Sequence, residues 1–479
     1  MSQPQLNKTI GFWSATSLVI GGVIGSTIFM KPATMAGQLP SPPLLLSVWL
    51  IAGLISMFGA MAFAELGTMF PETGGQYVYL QKAYGDFVAY LYGWASIAVI
   101  NTAAIAAIAF VCANYAGYFV HMPRFDPAVE NSIVLHIPYI GDIFPLQNIG
   151  MKAFAIAVIM GLTLVNYFSV KSGNSIQFVS TMLKTVALLL LVFGILFSGN
   201  GSARNFVNDA PGFHFSGITL ITGFMAATTG AFASYDGWNN LNMVAGELKD
   251  PHRNITRSLL LGLSVCIIVY ILITLSYMYV MPIDEMAKSS FVSSDAIQRA
   301  LGPGAAMSVA ALIVISTFGA VSVNLFANAR VVFSMAEGGN FFAWAGAVHP
   351  KFNTPGNAVI IMGVWSSLLV ISGSFDILTD MFIFMSWFFY LLVVLAVIVM
   401  RKKMPDAPRP YKVNGYPWVP LIFIAFTSFY LVSTVYYDVT NYNAGRSPVI
   451  NSLFGLILTL AGVPFFPYFR RKYGKKPNS

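Results

Sequence analysis

The sequence predicts an all-α polytopic membrane protein, and three observations carry that prediction. Across 479 residues the chain is 57% hydrophobic and only 9% charged, with a mean hydropathy of +0.71. Soluble globular proteins carry about 25% charged residues, so hiding this much apolar surface would demand a core larger than the chain can wrap. Apolar segments close to the ~20 residues that cross a hydrocarbon layer recur along the whole length. The segments between them leave no soluble domain of useful size.

Twelve spans are read at about 14–38, 44–70, 86–119, 150–168, 174–197, 219–245, 257–280, 304–335, 357–373, 376–399, 417–436 and 448–468. The ninth and tenth are divided only by GSFD. Lysine and arginine concentrate in alternate connections, including Arg253, Arg257, the Arg401-Lys402-Lys403 run and the tail RRKYGKK. The positive-inside rule then places both termini in the cytoplasm, with a prokaryotic cell membrane as the expected location. The domain reading follows: residues 1–13 form a cytoplasmic segment and 14–399 a core. Residues 400–468 hold a cytoplasmic loop and the last two spans, and 469–479 are a basic tail read as an orientation signal.

Several functional classes fall away. The net charge of +8 forms no patch on a soluble domain, so it is read as topology signal and headgroup contact rather than nucleic-acid binding. Cys112 and Cys266 lie in apolar spans and read as small core residues. The five histidines share no metal-ligand spacing, and no Ser-His-Asp triad or phosphate loop is recognisable, so no metal, cofactor or enzyme activity is expected. The start, MSQPQLNKTIGFW, is not read as a signal peptide. The longest connection, 120–149, reads as an elaborated external surface loop, with capping of an outer vestibule as the alternative.

Two spans look interrupted. Span 1 contains VIGGVIGSTIF, with Gly21, Gly22, Gly25 and Ser26-Thr27 where glycine costs a helix roughly 1 kcal/mol relative to alanine. Span 6 contains Ser234, Tyr235, Asp236 and Gly237 within Gly230 to Trp238. Asp236 would cost about 2.5–3.5 kcal/mol in lipid unless it faced protein or water. Two breaks five spans apart predict a 5+5 inverted repeat of spans 1–5 and 6–10, with 11 and 12 outside it. Unwinding frees N–H and C=O groups at membrane depth, which is tolerable only around a protein-lined cavity. A half-helix beginning near Ser26 would aim N–H groups at an anion. Carbonyls near Val23, Ile24, Phe232 and Ala233 would receive an ammonium. An α-amino acid supplies both charges on one carbon. Small-residue packing is the plainer alternative.

At these residues the chain resembles the amino acid–polyamine–organocation superfamily, in its L-type amino acid transporter branch with bacterial relatives. The resemblance rests on GGVIGSTIF (21–29), AFAELGTMFPETGGQYVYLQKAYGDFVAYLYGW (62–94) and FASYDGWNNLNMVAGELKDPHRNITRSL (232–259), with FGAVSVNLFANARVVFSMAEGGNFFAW (318–344) fitting span 8. It implies an alternating-access transporter of the bacterial leucine transporter fold, with helices 1 and 6 unwound. It implies that Gly25, Ser26 and Thr27 bind the substrate carboxylate through backbone N–H. Val23 and the Phe232, Ala233 and Ser234 carbonyls match the ammonium-binding positions, and Tyr235 and Trp238 match residues near the side-chain pocket and gate. Thr27 departs from the family's glycine, which implies either a smaller pocket or an added hydroxyl contact. Heteromeric relatives bind a glycoprotein through a cysteine in the loop after span 3. Residues 120–149 hold no cysteine, so no disulfide-linked heavy chain is implied.

Charged and polar residues within spans complete the reading. Lys184 is expected to bridge span 5 to the unwound part of span 1, where relatives that couple to sodium bind that ion. Reversible protonation or a permanent charge would both fit. Glu65 is expected to pair within the bundle rather than carry protons, Asp236 to organise or gate its helix, and Glu247 to join an inner-gate ion pair beside Lys249. Asn324 would bond either the span 1 break or a neighbouring helix. The expected function is sodium-independent transport of small or medium neutral L-amino acids, by exchange or proton-coupled uptake. A polyamine or cationic amino acid carrier is the alternative, and a non-transporting sensor a remote one. The expected partners are the amino acid and membrane lipids.

Overall fold

The computed structural model describes residues 10–71, 74–168, 171–214, 216–243, 245, 248–352 and 354–473, with side chains omitted over 171–183. The helices are α1 (Phe12–Val23), α2 (Lys31–Gln38), α3 (Pro42–Met69), α4 (Gln76–Tyr84), α5 (Asp86–Ala95), α6 (Asn101–Ala116), α7 (Pro127–Glu130), α8 (Ile149–Phe168), α9 (Lys171–Leu196) and α10 (Gly217–Tyr235). They continue as α11 (Asn240–Met243), α12 (Pro251–Val280), α13 (Ile283–Met286), α14 (Val292–Leu301), α15 (Pro303–Glu337), α16 (Gly356–Ser372), α17 (Phe375–Lys403), α18 (Trp418–Asn443), α19 (Asn451–Leu460) and α20 (Phe465–Tyr473). A π-helical stretch, Ser96–Ile100, joins α5 to α6.

Local chemistry marks many of these boundaries. Proline occupies the first turn of α3, α12 and α15, where its missing N–H would have had no helical partner. Ser374 caps α17 through Ile377 N–H, and Arg401, Lys402 and Lys403 complement the negative end of the same helix. Nine of the described helical segments are long and apolar enough to cross a membrane. Three shorter apolar ones, Phe12–Val23, Lys184–Leu196 and Gly356–Ser372, fall where spans 1, 5 and 9 were read. The all-helical, polytopic expectation therefore holds.

Both expected interruptions lie at helix ends, though not where the sequence set them. The α1 segment stops at Val23, a 3₁₀ turn covers Thr27–Phe29, and α2 begins only at Lys31 rather than near Ser26. The α10 helix runs unbroken through Tyr235, so the change of course falls at Asp236 and Gly237 instead of starting at Gly230. The run Ala231–Ser234 is buried and stays helical. Asp236 is extended (φ −64°, ψ 149°), and Gly237 follows with a φ of +108° that a side chain would resist.

Around these ends, α3 and α12 pack together, and α1 lies against α12. The α15 helix packs on α6 and α9, and α17 joins α6 to α18. In the 120–149 connection, strands Leu135–Ile137 (β1) and Gly141–Ile143 (β2) pair antiparallel. Asp142 N–H donates to Pro448 O at 2.8 Å and Ile450 N–H to Ile140 O at 2.8 Å, so the hairpin is stitched to the α18–α19 connection.

Candidate functional site

The two interruptions touch. A Cβ on Gly237 would stand 2.4 Å from Gly22 O, so only glycine allows the backbones this close. A helix leaves its last four carbonyls without intrahelical donors, which for α10 are those of Phe232 to Tyr235. Tyr270, on α12, places its hydroxyl 2.7 Å from Val23 O and 2.8 Å from Ser234 O. One phenolic proton is shared between two carbonyls, so the pair keeps acceptor capacity. Thr27 Oγ1 lies 3.5 Å from Ala233 O, reaching across from one interruption to the other. The N–H groups of Ser26 and Thr27 have no hydrogen-bond acceptor among the described residues, while the Gly25 N–H is directed at the Tyr270 hydroxyl oxygen. Donors without partners thus stand beside carbonyls that share one proton. Donors at one end and acceptors at the other are the chemistry that a group anionic at one end and cationic at the other would need. Ile24 and Gly25 are half-exposed, whereas Ser26 and Thr27 are buried.

Other expected residues are placed as follows. The Phe232 ring stacks on Trp387 at 3.4 Å between centroids and meets Tyr430 edge-on, away from the carbonyl pair. Tyr235 donates to Trp49 O at 3.0 Å, and its ring packs on Trp49 and Tyr270. Trp238 is fully buried edge-on to Phe63, and its indole N–H has no partner among the described residues. Asp236 accepts from the Tyr390 hydroxyl at 2.6 Å, tying the end of α10 to α17. Glu65, 1% exposed, accepts two bonds from Arg401 at 2.8 and 2.6 Å and one from Val413 N–H at 2.8 Å.

Two expectations need correction and one lies beyond reach. Asn324 does not reach the span 1 interruption: its amide donates to Ala320 O at 2.9 Å, one turn back in its own helix. The Lys184 ammonium, half-buried, has no hydrogen-bond or ion-pair partner among the described residues, so the expected bridge to span 1 is not formed here. The reason is its surroundings, since α9 packs on α12, α14 and α15. Glu247 lies outside the described residues.

Sequence reasoning missed Tyr270 and the charges around Lys31. Lys31 is 1% exposed and held by Asp376 at 2.7 Å and Asp380 at 3.0 Å. The signal was present: two aspartates one turn apart near the start of an apolar span require a cation on a facing helix. Beside this cluster a cavity of about 340 Å³ reaches Met30, next to the 3₁₀ turn. Its walls include Asp142, Phe144, Gln147 and Asn148, so the 120–149 connection shapes the vestibule rather than only covering surface.

The chain is similar to known amino acid transporters along nearly its whole length. The chain is 30% identical over 472 residues to the b(0,+)-type amino acid transporter 1 of Homo sapiens, covering 98% of this chain and 89% of the relative. It is 30% identical over 464 residues to the large neutral amino acids transporter small subunit 2 of Homo sapiens, covering 96% and 80%. The serine/threonine exchanger SteT of Bacillus subtilis (strain 168) is 28% identical over 465 residues, 96% of each chain. The model of the amino acid permease family matches residues 10–462, the stretch that holds both helix interruptions and their partners. The chain belongs to the amino acid permease family.

Proposed function

We propose that the protein is a sodium-independent secondary transporter of small or medium neutral L-amino acids, working by alternating access in a twelve-helix, bacterial leucine transporter-type fold. The observation that carries the reading is the pairing of N–H groups at the α1–α2 turn, Ser26 and Thr27 unpartnered and Gly25 facing the Tyr270 hydroxyl, with the Val23 and Ser234 carbonyls. The carboxylate goes to the former and the ammonium to the latter, in place of the Tyr270 proton. Thr27, reaching toward Ala233 O, supports small side chains. The exchanger name of the bacterial relative supports exchange. Lys184 supplies a fixed or titrating cation in α9, and both termini lie in the cytoplasm. A polyamine lacks the carboxylate that the N–H trio would bind, and Asp236 is already engaged by Tyr390, which weighs against a cationic substrate.

The test is counterflow in proteoliposomes loaded with unlabelled serine or alanine, with and without sodium and a pH gradient. Saturable, sodium-independent uptake of labelled amino acid is expected. No uptake of any amino acid sinks the proposal. Lys184→Ala is expected to lower transport; unchanged activity at both acid and neutral pH removes Lys184 from coupling.

A further inference from the structure

The chain end holds a second, unassigned site. The α19 helix runs for ten residues, about 15 Å, before a turn at 461–464 leads into α20. One face of α20 is spent inward: Phe465 stacks on Trp94, Phe466 meets Phe87 and Tyr90, and Phe469 is fully buried against Tyr90, Phe341 and Phe342. Arg470 approaches Asp86, the first residue of α5, at 3.8 Å. This fixes α20 beside the start of α5, and because Asn451–Tyr473 together are long enough to cross a membrane, the Arg471–Lys472 end of α20 falls at the end of that segment, where headgroups would begin.

The other face has a different composition. Pro464, Pro467, Tyr468, Arg471 and Lys472 recur at helical spacing, are all exposed, and line a shallow groove of about 470 Å³. The groove is apolar at Pro464 and Pro467, aromatic at Tyr468 and doubly cationic at its end. Lys472 Nζ donates to the Tyr468 hydroxyl at 2.9 Å, and Arg471 has no partner among the described residues. Among the described residues no carboxylate pairs with either cation, and Asp86 faces Arg470.

We infer that this groove binds one anionic phospholipid, its phosphate on Arg471 and Lys472 and its acyl chains along Pro464, Pro467 and Tyr468. The apolar-to-cationic gradient runs in the direction a lipid does from tail to headgroup. Tyrosine at the boundary suits the headgroup level. Each cation near an anionic surface contributes about fivefold in affinity, roughly 30-fold for two. Lipid binding would brace the buried Phe469 cluster from outside. In the orientation proposed above the lipid belongs to the cytoplasmic leaflet, but the groove's chemistry does not depend on which leaflet it faces.

The experiment uses the full-length protein in neutral detergent, with bound lipid counted by native mass spectrometry after adding phosphatidylglycerol, phosphatidylcholine, or inorganic phosphate. One retained phosphatidylglycerol per chain is expected, in preference to phosphatidylcholine. Arg471→Gln with Lys472→Gln should weaken its retention by roughly 30-fold. Arg253→Gln with Lys351→Gln, a double charge loss elsewhere, should leave it unchanged. Equal loss in both double variants, or no loss in the first, overturns the proposal. Displacement of phosphatidylglycerol by millimolar phosphate also overturns it, since the groove would then hold an anion rather than a lipid. Thermal midpoints in phosphatidylcholine check that the variants fold, and both exposed pairs should leave them unmoved.

Discussion

At Thr27 and Tyr270, single side chains decide what the opposed helix ends accept. Thr27 stands in the turn between α1 and α2, and its hydroxyl reaches toward Ala233 O rather than merely filling space. Replacing it with glycine removes a methyl and a hydroxyl from the substrate's approach. Thr27→Gly should raise transport of leucine and phenylalanine relative to alanine by roughly 10-fold, the worth of about one methylene in a pocket. Unchanged competition profiles in uptake assays would reject this. Tyr270 shares one proton between two buried carbonyls, so Tyr270→Phe leaves both without a donor. The substrate-free variant should lose about 1–3 kcal/mol of stability. An ammonium at the same carbonyls would restore part of it, so saturating substrate should raise the thermal midpoint more in the variant than in the wild type. Equal shifts would mean that the ammonium binds elsewhere. No sequence pattern marked Tyr270, because its role arises only when α12 is laid across both interruptions.

At the scale of elements, the helices were legible because apolar length is a property of composition, while their junctions depend on partners far along the chain. Within the Gly230–Trp238 stretch read as the interruption of span 6, the break falls at Asp236 and Gly237, because burial against neighbours keeps α10 helical to Tyr235. The pairing of Lys31 was missed because Asp376 and Asp380 lie some 350 positions away in sequence, though 2.7 and 3.0 Å away in space. Glu65 was read as a paired residue, and its partner Arg401 joins α3 to the far end of α17. The same carboxylate holds Val413 N–H, so it also anchors the connection that follows α17. Removing one member of a buried pair leaves an uncompensated charge, at about 3–5 kcal/mol. Arg401 is one-fifth exposed, which puts Glu65→Gln at the lower end of that range. Thermal denaturation should show this loss with transport per folded molecule retained. A variant of normal stability that has lost proton dependence would instead make Glu65 a proton carrier.

For the whole molecule, the 120–149 connection links parts that the spans alone leave apart. It leaves α6, contributes four walls of the vestibule, and is stitched through its hairpin to the connection between α18 and α19. The sequence offered proline, charge and short apolar runs there, which are compatible with a surface loop. The stitching could not be read because backbone hydrogen bonds to Pro448 and Ile140 leave no trace in residue type. Beside the His136–Asp142 pair across the hairpin and the Lys152 bonds to Phe144 and Pro145 carbonyls, Glu130 anchors the fold of this connection. Glu130 accepts from Arg124 at 3.3 and 3.2 Å and from Asn148 N–H at 3.1 Å. The Arg124 bonds first, and the Asn148 N–H second, hold its carboxyl below the ordinary value of 4.5. A carboxyl with a lowered folded-state value contributes its full stabilisation above the unfolded value and loses it as the pH falls through the folded one. The connection should therefore resist proteolysis equally from pH 8 to about pH 5 and become susceptible only below the ordinary carboxylate range. Arg124→Gln should bring that susceptibility to higher pH, because the first of the two causes is gone. Cleavage between Pro123 and Asn148, mapped by mass spectrometry after brief digestion with an acid-tolerant protease, measures it. A threshold that does not move in Arg124→Gln would mean that the hairpin's bonds to Pro448 and Ile140, rather than Glu130, hold this wall of the vestibule in place.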